Sequence, residues 1–430
     1  MVSVLAESPH GSLHRMLPNW QEIKAGYEFL KRPEVTFETV TAAHRQWVNE
    51  ACSRPGDYVL ISDTTTLDYS SHPCTDGLGR VGDDGGRGLL LHSTLAVRVE
   101  KWDEEGTPSV RVLGMAAQKC WARTTPTLGS STEKKKKRLS RERESQRWPE
   151  AVESLGRRHE GVRWTQVGDR ESDIYEMFEV CEKNGSDWIV RANQRRALSD
   201  EDGSVFDAVG RRPLLGTKTI PLRARPGQAA RVARVEVRAG PVSLRGPWRP
   251  DRRTAPLAMN AAEVLEIDPP EGVEALHWVL LTSWPVDSLD AAWRVAQTYA
   301  RRWMIEEYHK ALKSGAGVEQ SQLENGASLQ ALIGILSVVA VRLFALQYES
   351  RTNPHEAITE KDVDPVWLVV LGRLVSKPPK VWTRRTLMHG IASLGGFKGR
   401  TGDGDPGWRS IWWGWQRLLP LVQGFKLASG

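Results

Sequence analysis

The run YVLIS at residues 58–62, ending at Asp63, decides how this chain is read. A short apolar run closed by an acidic residue is the pattern of a buried strand that delivers a carboxylate at its end. Working outward, RGLLLHSTLAVRV (87–99) and VRVLGMAAQKCWA (110–122) are two longer strand candidates, with a Gly/Asp-rich loop at 76–88 before them. Three strands with short connections predict an antiparallel meander. A helix through Trp148 and Leu155 follows, then RWTQVG (163–168) as a strand running into Asp169. Residues 172–184 read as a helix and DWIVRAN (187–193) as another strand.

A meander followed by strand, helix, strand is the element order of the ribonuclease-H-like fold, in which strand ends place carboxylates side by side. The expected class is α/β, with such a catalytic core over residues 53–349. Before it, residues 1–52 hold two helices, NWQEIKAGYEFLKR and a second one from 36 to 51, separated by a break at Pro33. Residues 195–286 are rich in Arg, Pro and Gly, with strand-like pieces KTIPLRA, ARVARVEVRA and ALHWVLLTS, and read as a β-rich insertion. The apolar stretch 329–346 is interrupted by Gln330, Gly334, Ser337 and Arg342, which fits a core helix over 327–349 better than a membrane span. Residues 350–430 form a C-terminal helical unit with several Trp and a Gly-rich turn.

At 430 residues the chain has room for two or three units with ample core. Charged residues at 26% and hydrophobic ones at 40% describe a globular protein, and the net charge of +6 favours an anionic partner. The four cysteines form no CxxC pair, which fits a reducing cytosol and argues against a structural zinc site. No signal-peptide pattern opens the sequence. The expected location is cytoplasmic and nucleoid-associated, with no membrane partner. The basic run STEKKKKRLSRERESQR (131–147) reads as a solvated, mobile loop or helix start, or as a phosphate contact.

Residues 299–313, YARRWMIEEYHKALK, contain neither Gly nor Pro and read as one helix. At about 100° per residue, Tyr299, Arg302, Glu306 and Lys313 share one face, with His309 and Lys310 at its edges and an apolar back opposite. Such a face can be ordinary solvated Glu–Arg and Glu–Lys pairing. Asp63 can open a turn and Asp169 can cap a helix. Together, however, Asp63, Asp169 and Glu306 suit two divalent ions bridged by carboxylates, which assist phosphodiester displacement. Hard Mg²⁺ prefers such oxygen ligands. Arg302 and Lys313 would then grip flanking phosphates.

ISDTTTL, GDRESDIY and YARRWMIEEYHKALKSGAG in this order resemble the DDE transposases of bacterial insertion sequences, and within them the insertion-sequence-four family. The most specific element is Tyr–x2–Arg–x3–Glu–x6–Lys, met by Tyr299, Arg302, Glu306 and Lys313. RGLLLHS and LGGFKGRTGDGDPGWRSIWWGWQRL are similar as well. The resemblance implies a ribonuclease-H-like core interrupted by a β-strand insertion, and cut-and-paste transposition with Mg²⁺ or Mn²⁺, two ions in all. It implies Asp63, Asp169 and Glu306 as catalytic metal ligands. Tyr299, Arg302 and Lys313 take the roles of contacting the DNA end, with Lys310 beside them. Trp278 matches a tryptophan that stacks on a base flipped out during hairpin formation, and Arg191 a basic residue near the hairpin. Partners implied are double-stranded DNA, both transposon inverted-repeat ends and target, and a second copy of the chain in the end complex, joined through the C-terminal unit.

Relatives carry a basic end-reading helix ahead of the part matched by residues 20–32. The segment MVSVLAESPHGSLHRML holds only Arg15 as a permanent cation, so residues 1–52 are expected to be a shortened remnant of the DNA-binding segment. The alternative function is a catalytically silent regulator or relic that forms mixed dimers with a full-length relative.

Overall fold

The computed structural model describes residues 19–82, 85–123, 144–222, 229–249, 252–360 and 362–429. The segment 1–17, including Arg15, and residues 131–143 of the basic run lie outside them. Two helices come first, α1 (Trp20–Leu30) and α2 (Phe37–Cys52). Each begins at a side-chain cap: Asn19 accepts from the Glu22 N–H and Thr36 from the Thr39 N–H.

The strands β1 (Gly56–Asp68), β2 (Gly79–Val81), β3 (Gly86–Trp102) and β4 (Pro108–Trp121) form the meander, with the short β2 pairing within the Gly/Asp-rich loop. Then come α3 (Arg147–Ser154), β5 (Val162–Gly168), α4 (Tyr175–Asn184) and β6 (Asp187–Arg191). One mixed sheet of ten strands runs β2–β3–β1–β5–β6–β10–β9–β8–β7, with β4 also on β3. Among the described residues, only β1–β5 and β5–β6 are parallel. β5 is buried on both faces along nearly its whole length, as parallel strands covered by helices are.

Residues 195–286 contain α5 (Val205–Gly210), β7 (Leu214–Leu222), β8 (Arg231–Leu244), β9 (Leu257–Glu266) and β10 (His277–Thr282). They are not a subdomain apart. β10 pairs with β6 from Leu280↔Arg191 to Thr282↔Ile189, so these strands continue the sheet of β1–β6. β9 was not expected from sequence.

The single helix expected over 299–313 is corrected to three pieces: α6 (Leu289–Ala300), α7 (Trp303–Lys310) and a π-turn at Ala311–Gly315. At the first break the backbone tightens to i→i+3 bonding, with Arg302 N–H on Tyr299 O at 2.8 Å and Met304 N–H on Arg301 O at 2.9 Å. At the second it widens, Ala316 N–H reaching Ala311 O at 2.8 Å. The expected helix at 172–184 likewise begins later, at Tyr175, because residues 170–172 form a 3₁₀ turn capped by Asp169.

α8 (Gly326–Thr352) packs on α2 and β4. It is long and apolar enough to cross a membrane, but 72% of its most apolar window is buried inside the protein. A Cβ at Gly334 would stand 2.7 Å from Val40, so only glycine permits this approach to α2. The helices α9 (Pro365–Leu374), α10 (Arg384–Leu394) and α11 (Trp408–Ser429) complete the chain. One hydrophobic cluster includes Ile23, Leu89, Ile305, Leu332 and Leu418, joining the N-terminal helices, the sheet and the C-terminal helices.

α2 is locked to the meander at one point. Gly114 has φ +149, and a Cβ there would lie 2.6 Å from the His44 ring. The bare backbone lets His44 Nε2 accept the Met115 N–H at 3.0 Å. Burial, then the Arg342 charge, lowers His44 to about 4. The folded protein therefore keeps His44 neutral while the unfolded chain takes up a proton near the ordinary value of about 6.5. This stabilisation is complete above about pH 6.5 and is lost as pH falls toward 4, by on the order of 3 kcal/mol. Urea unfolding at pH 7 and pH 4.5 should show a smaller loss for His44→Gln than for the unaltered protein. Equal losses would remove His44 as the cause.

Candidate active site at the carboxyl ends of the parallel strands

The register of β1 on β5 ends with Ile61↔Val167. Two residues further along each chain stand Asp63 and Asp169, side by side on neighbouring parallel strands. On the next strand Val190 pairs with Gly168, so Arg191 comes level with Asp169. Asp63 does not end its strand, as expected from YVLIS; β1 continues to Asp68, paired there with β3 alone. The carboxylate thus projects from a strand held on one side, where the sheet opens.

Asp63 is largely buried, its side chain 18% exposed. Burial, then the neighbouring Asp169 charge, raises its pKa to about 7, with Glu306 adding a smaller push. The Thr64 N–H, donating to Asp63 Oδ1 at 2.7 Å, and Arg302 act the other way. Asp169 does cap: its Oδ1 accepts the Glu171 N–H at 2.9 Å. The capping reading of Asp169 is therefore met, and the cap leaves the residue beside Asp63.

α7 rests on β1 and β3 and brings Glu306 to this cluster. Arg302 Nη2 donates to Glu306 at 2.5 Å while Nη1 lies 3.8 Å from Asp63 Oδ2. One guanidinium faces two of the three carboxylates. Tyr299 is buried, and its ring meets Trp278 edge-on at 5.1 Å between centroids. Arg191 Nη2 donates to His277 O at 2.8 Å, and burial lowers its pKa. Tyr299, Trp278, Arg191 and Arg302 thus stand together on one side of the carboxylates. Lys313, on the π-turn, lies 3.6 Å from Glu319, which also accepts the Asp68 N–H at 3.0 Å. Lys310 is exposed on α7.

Among the described residues, no three His, Cys, Asp or Glu side chains form a ready-made metal site. Asp63 and Asp169 nevertheless suit a hard cation: they are oxygen donors, and Asp169 raises the cost of ionising Asp63, a repulsion that a cation would relieve. Glu306 is occupied by Arg302 and would have to leave it to join them.

Sequence reading missed the supports. Thr64 Oγ1 bonds both His92 Nδ1 at 2.9 Å and Arg147 Nε at 2.8 Å. Arg147 also pairs with Glu171. The last arginine of the basic run is therefore no solvated cation. Nothing in its local sequence separates it from the arginines before it.

Residues 134–342, just under half of the chain, match the transposase DDE domain family. The span includes Asp169, Arg191, Trp278, Tyr299, Arg302, Glu306, Lys310 and Lys313, and leaves Asp63 outside. The match supports a transposase function in general; such domains act on DNA and generally depend on divalent metal.

The crowding of carboxylates around Asp63 has a measurable consequence. Without divalent ions, Asp63→Asn should melt higher than the unaltered protein, by on the order of 1–2 kcal/mol, because a buried charge among like charges is removed. Mn²⁺ should then raise the melting point of the unaltered protein more than that of the variant. A metal-free variant that melts lower would refute this account of the site.

Proposed function

We propose that this protein is a metal-dependent transposase of the insertion-sequence-four kind, which cuts its element out of DNA and joins it to a new site. The observation that carries the reading is the β1–β5 register, which ends so that Asp63 and Asp169 follow on adjacent strands, with Glu306 near enough to add to the Asp63 shift. The strand order β4–β3–β1–β5–β6, three antiparallel strands then two parallel ones, supports a ribonuclease-H-like core.

In this reading Asp63, Asp169 and Glu306 hold Mg²⁺ or Mn²⁺, two ions in all. When bound, such ions stabilise charge on the attacking and leaving oxygens of the phosphodiester. Arg302 turns from Glu306 toward the phosphate beside the cut, where its planar fork matches phosphate oxygens. Arg191 and Tyr299 orient the same strand. Lys313 and Lys310 hold flanking phosphates as point charges. Trp278, half-buried against Tyr299, offers its ring to a base extruded as the hairpin forms. The sequence of events is nicking, hairpin formation and resolution, then strand transfer. Val369, Leu374 and Leu421 are exposed apolar side chains on the C-terminal helices and support pairing of two copies there.

The test is cleavage of supercoiled DNA carrying the element's terminal inverted repeats, with Mg²⁺ or Mn²⁺. Asp63→Ala, Asp169→Ala and Glu306→Ala should each abolish nicking. Trp278→Ala should nick normally but form hairpins about 5- to 150-fold more slowly, the value of one lost stacking contact. Nicking that survives Asp63→Ala would sink the mechanism. End binding without any nicking would favour the silent, mixed-dimer role instead.

A further inference from the structure

We propose that Arg147 is the positioning residue that sets the two strand-end carboxylates relative to one another. The inference rests on the metal-dependent reading above. Each carboxylate is held by the backbone N–H of a nearby residue: Asp63 by Thr64 at 2.7 Å, Asp169 by Glu171 at 2.9 Å. Arg147 grips the side chains of those same two residues. Its Nε donates to Thr64 Oγ1 at 2.8 Å and its Nη2 to the Glu171 carboxylate. A third bond, Nη1 to Glu144 O at 2.8 Å, fixes the fork to its own chain, and the side chain is 10% exposed. One rigid guanidinium thus links the turn after β5 to strand β1.

The link continues inward. Thr64 Oγ1 accepts from Arg147 and is hydrogen-bonded as well to His92 Nδ1 at 2.9 Å. His92 is wholly buried against the Trp148 ring, with 4.7 Å between centroids. The packed imidazole gives Thr64 a buried anchor. A surface ion pair between Arg147 and Glu171 alone would add little, since Glu171 is 61% exposed. The buried arm on Thr64 makes the pair a spacer. Lysine keeps the charge but lacks the planar fork that reaches both partners.

The experiment uses the full chain and Mn²⁺ alone as ligand, followed by calorimetry. Arg147→Ala should weaken Mn²⁺ binding about 10- to 100-fold, the usual effect of losing a group that orients metal ligands. Arg147→Lys should recover only part of that loss. Binding to the end DNA in a gel shift, without metal, should be unchanged. A merely structural role would instead lower the melting point and leave the Mn²⁺ affinity of the folded fraction intact. Should Arg147→Ala fail to fold, Thr64→Val removes only the hydroxyl and should weaken Mn²⁺ in the same direction. Mn²⁺ affinity equal to the unaltered protein in either folded variant overturns the proposal. Failure of the underlying reading is visible separately, as absence of Mn²⁺ binding in the unaltered protein or binding untouched by Asp63→Ala.

Discussion

Two carboxylates follow the last paired residues of neighbouring parallel strands, and the repulsion between them is the constraint that the surroundings answer to. Parallel strands advance together, so a register fixed deep in the sheet at Ile61↔Val167 dictates which side chains meet where it ends. The backbone of each aspartate follows directly on that register, whose β5 side is buried on both faces. The charge must therefore be managed in place. Burial and Asp169 push the Asp63 carboxyl up, while the Thr64 N–H and Arg302 pull it down, and the net result near 7 leaves it poorly compensated. A cation placed between the two carboxylates would relieve that cost.

Arg302 is the counterweight within the protein. Its guanidinium binds Glu306 and approaches Asp63, and it lies at the turn where the backbone tightens between α6 and α7. Within the protein that group answers to carboxylates, and in the function proposed above it answers to the phosphate of a bound strand as well. Arginine suits both, because its fork matches either pair of oxygens and its charge cannot be lost.

Much of this was legible in the chain itself. Apart from the short β2 inside the expected loop, the order of strands and helices from β1 to β6 follows from apolar runs and turn residues, and the carboxylates could be picked out because they close such runs. Three things could not be read. β9, LAMNAAEVLE, has little β-branched character; its neighbours β8 and β10 supply the pairing that makes it a strand. The breaks at residues 301–302 and 311–315 interrupt a run with neither Gly nor Pro between Tyr299 and Lys313, so helix propensity does not mark them. Arg147 is one cation among many in a basic run, and only the fold distinguishes the one that turns inward.

The extension of the sheet gives the last step. Had residues 195–286 folded as a unit apart, β6 would present an open edge beside the site and Arg191 would have no fixed partner. Instead β10 returns to that edge, and its antiparallel register sets Leu280 against Arg191. Two residues back along β10, Trp278 then faces Tyr299, and the His277 carbonyl takes the Arg191 guanidinium. An aromatic ring and a cation 87 residues apart in sequence are thereby set side by side (278 minus 191), next to the carboxylates that β1 and β5 supply. The strands that looked like an interruption are what close the site on that flank.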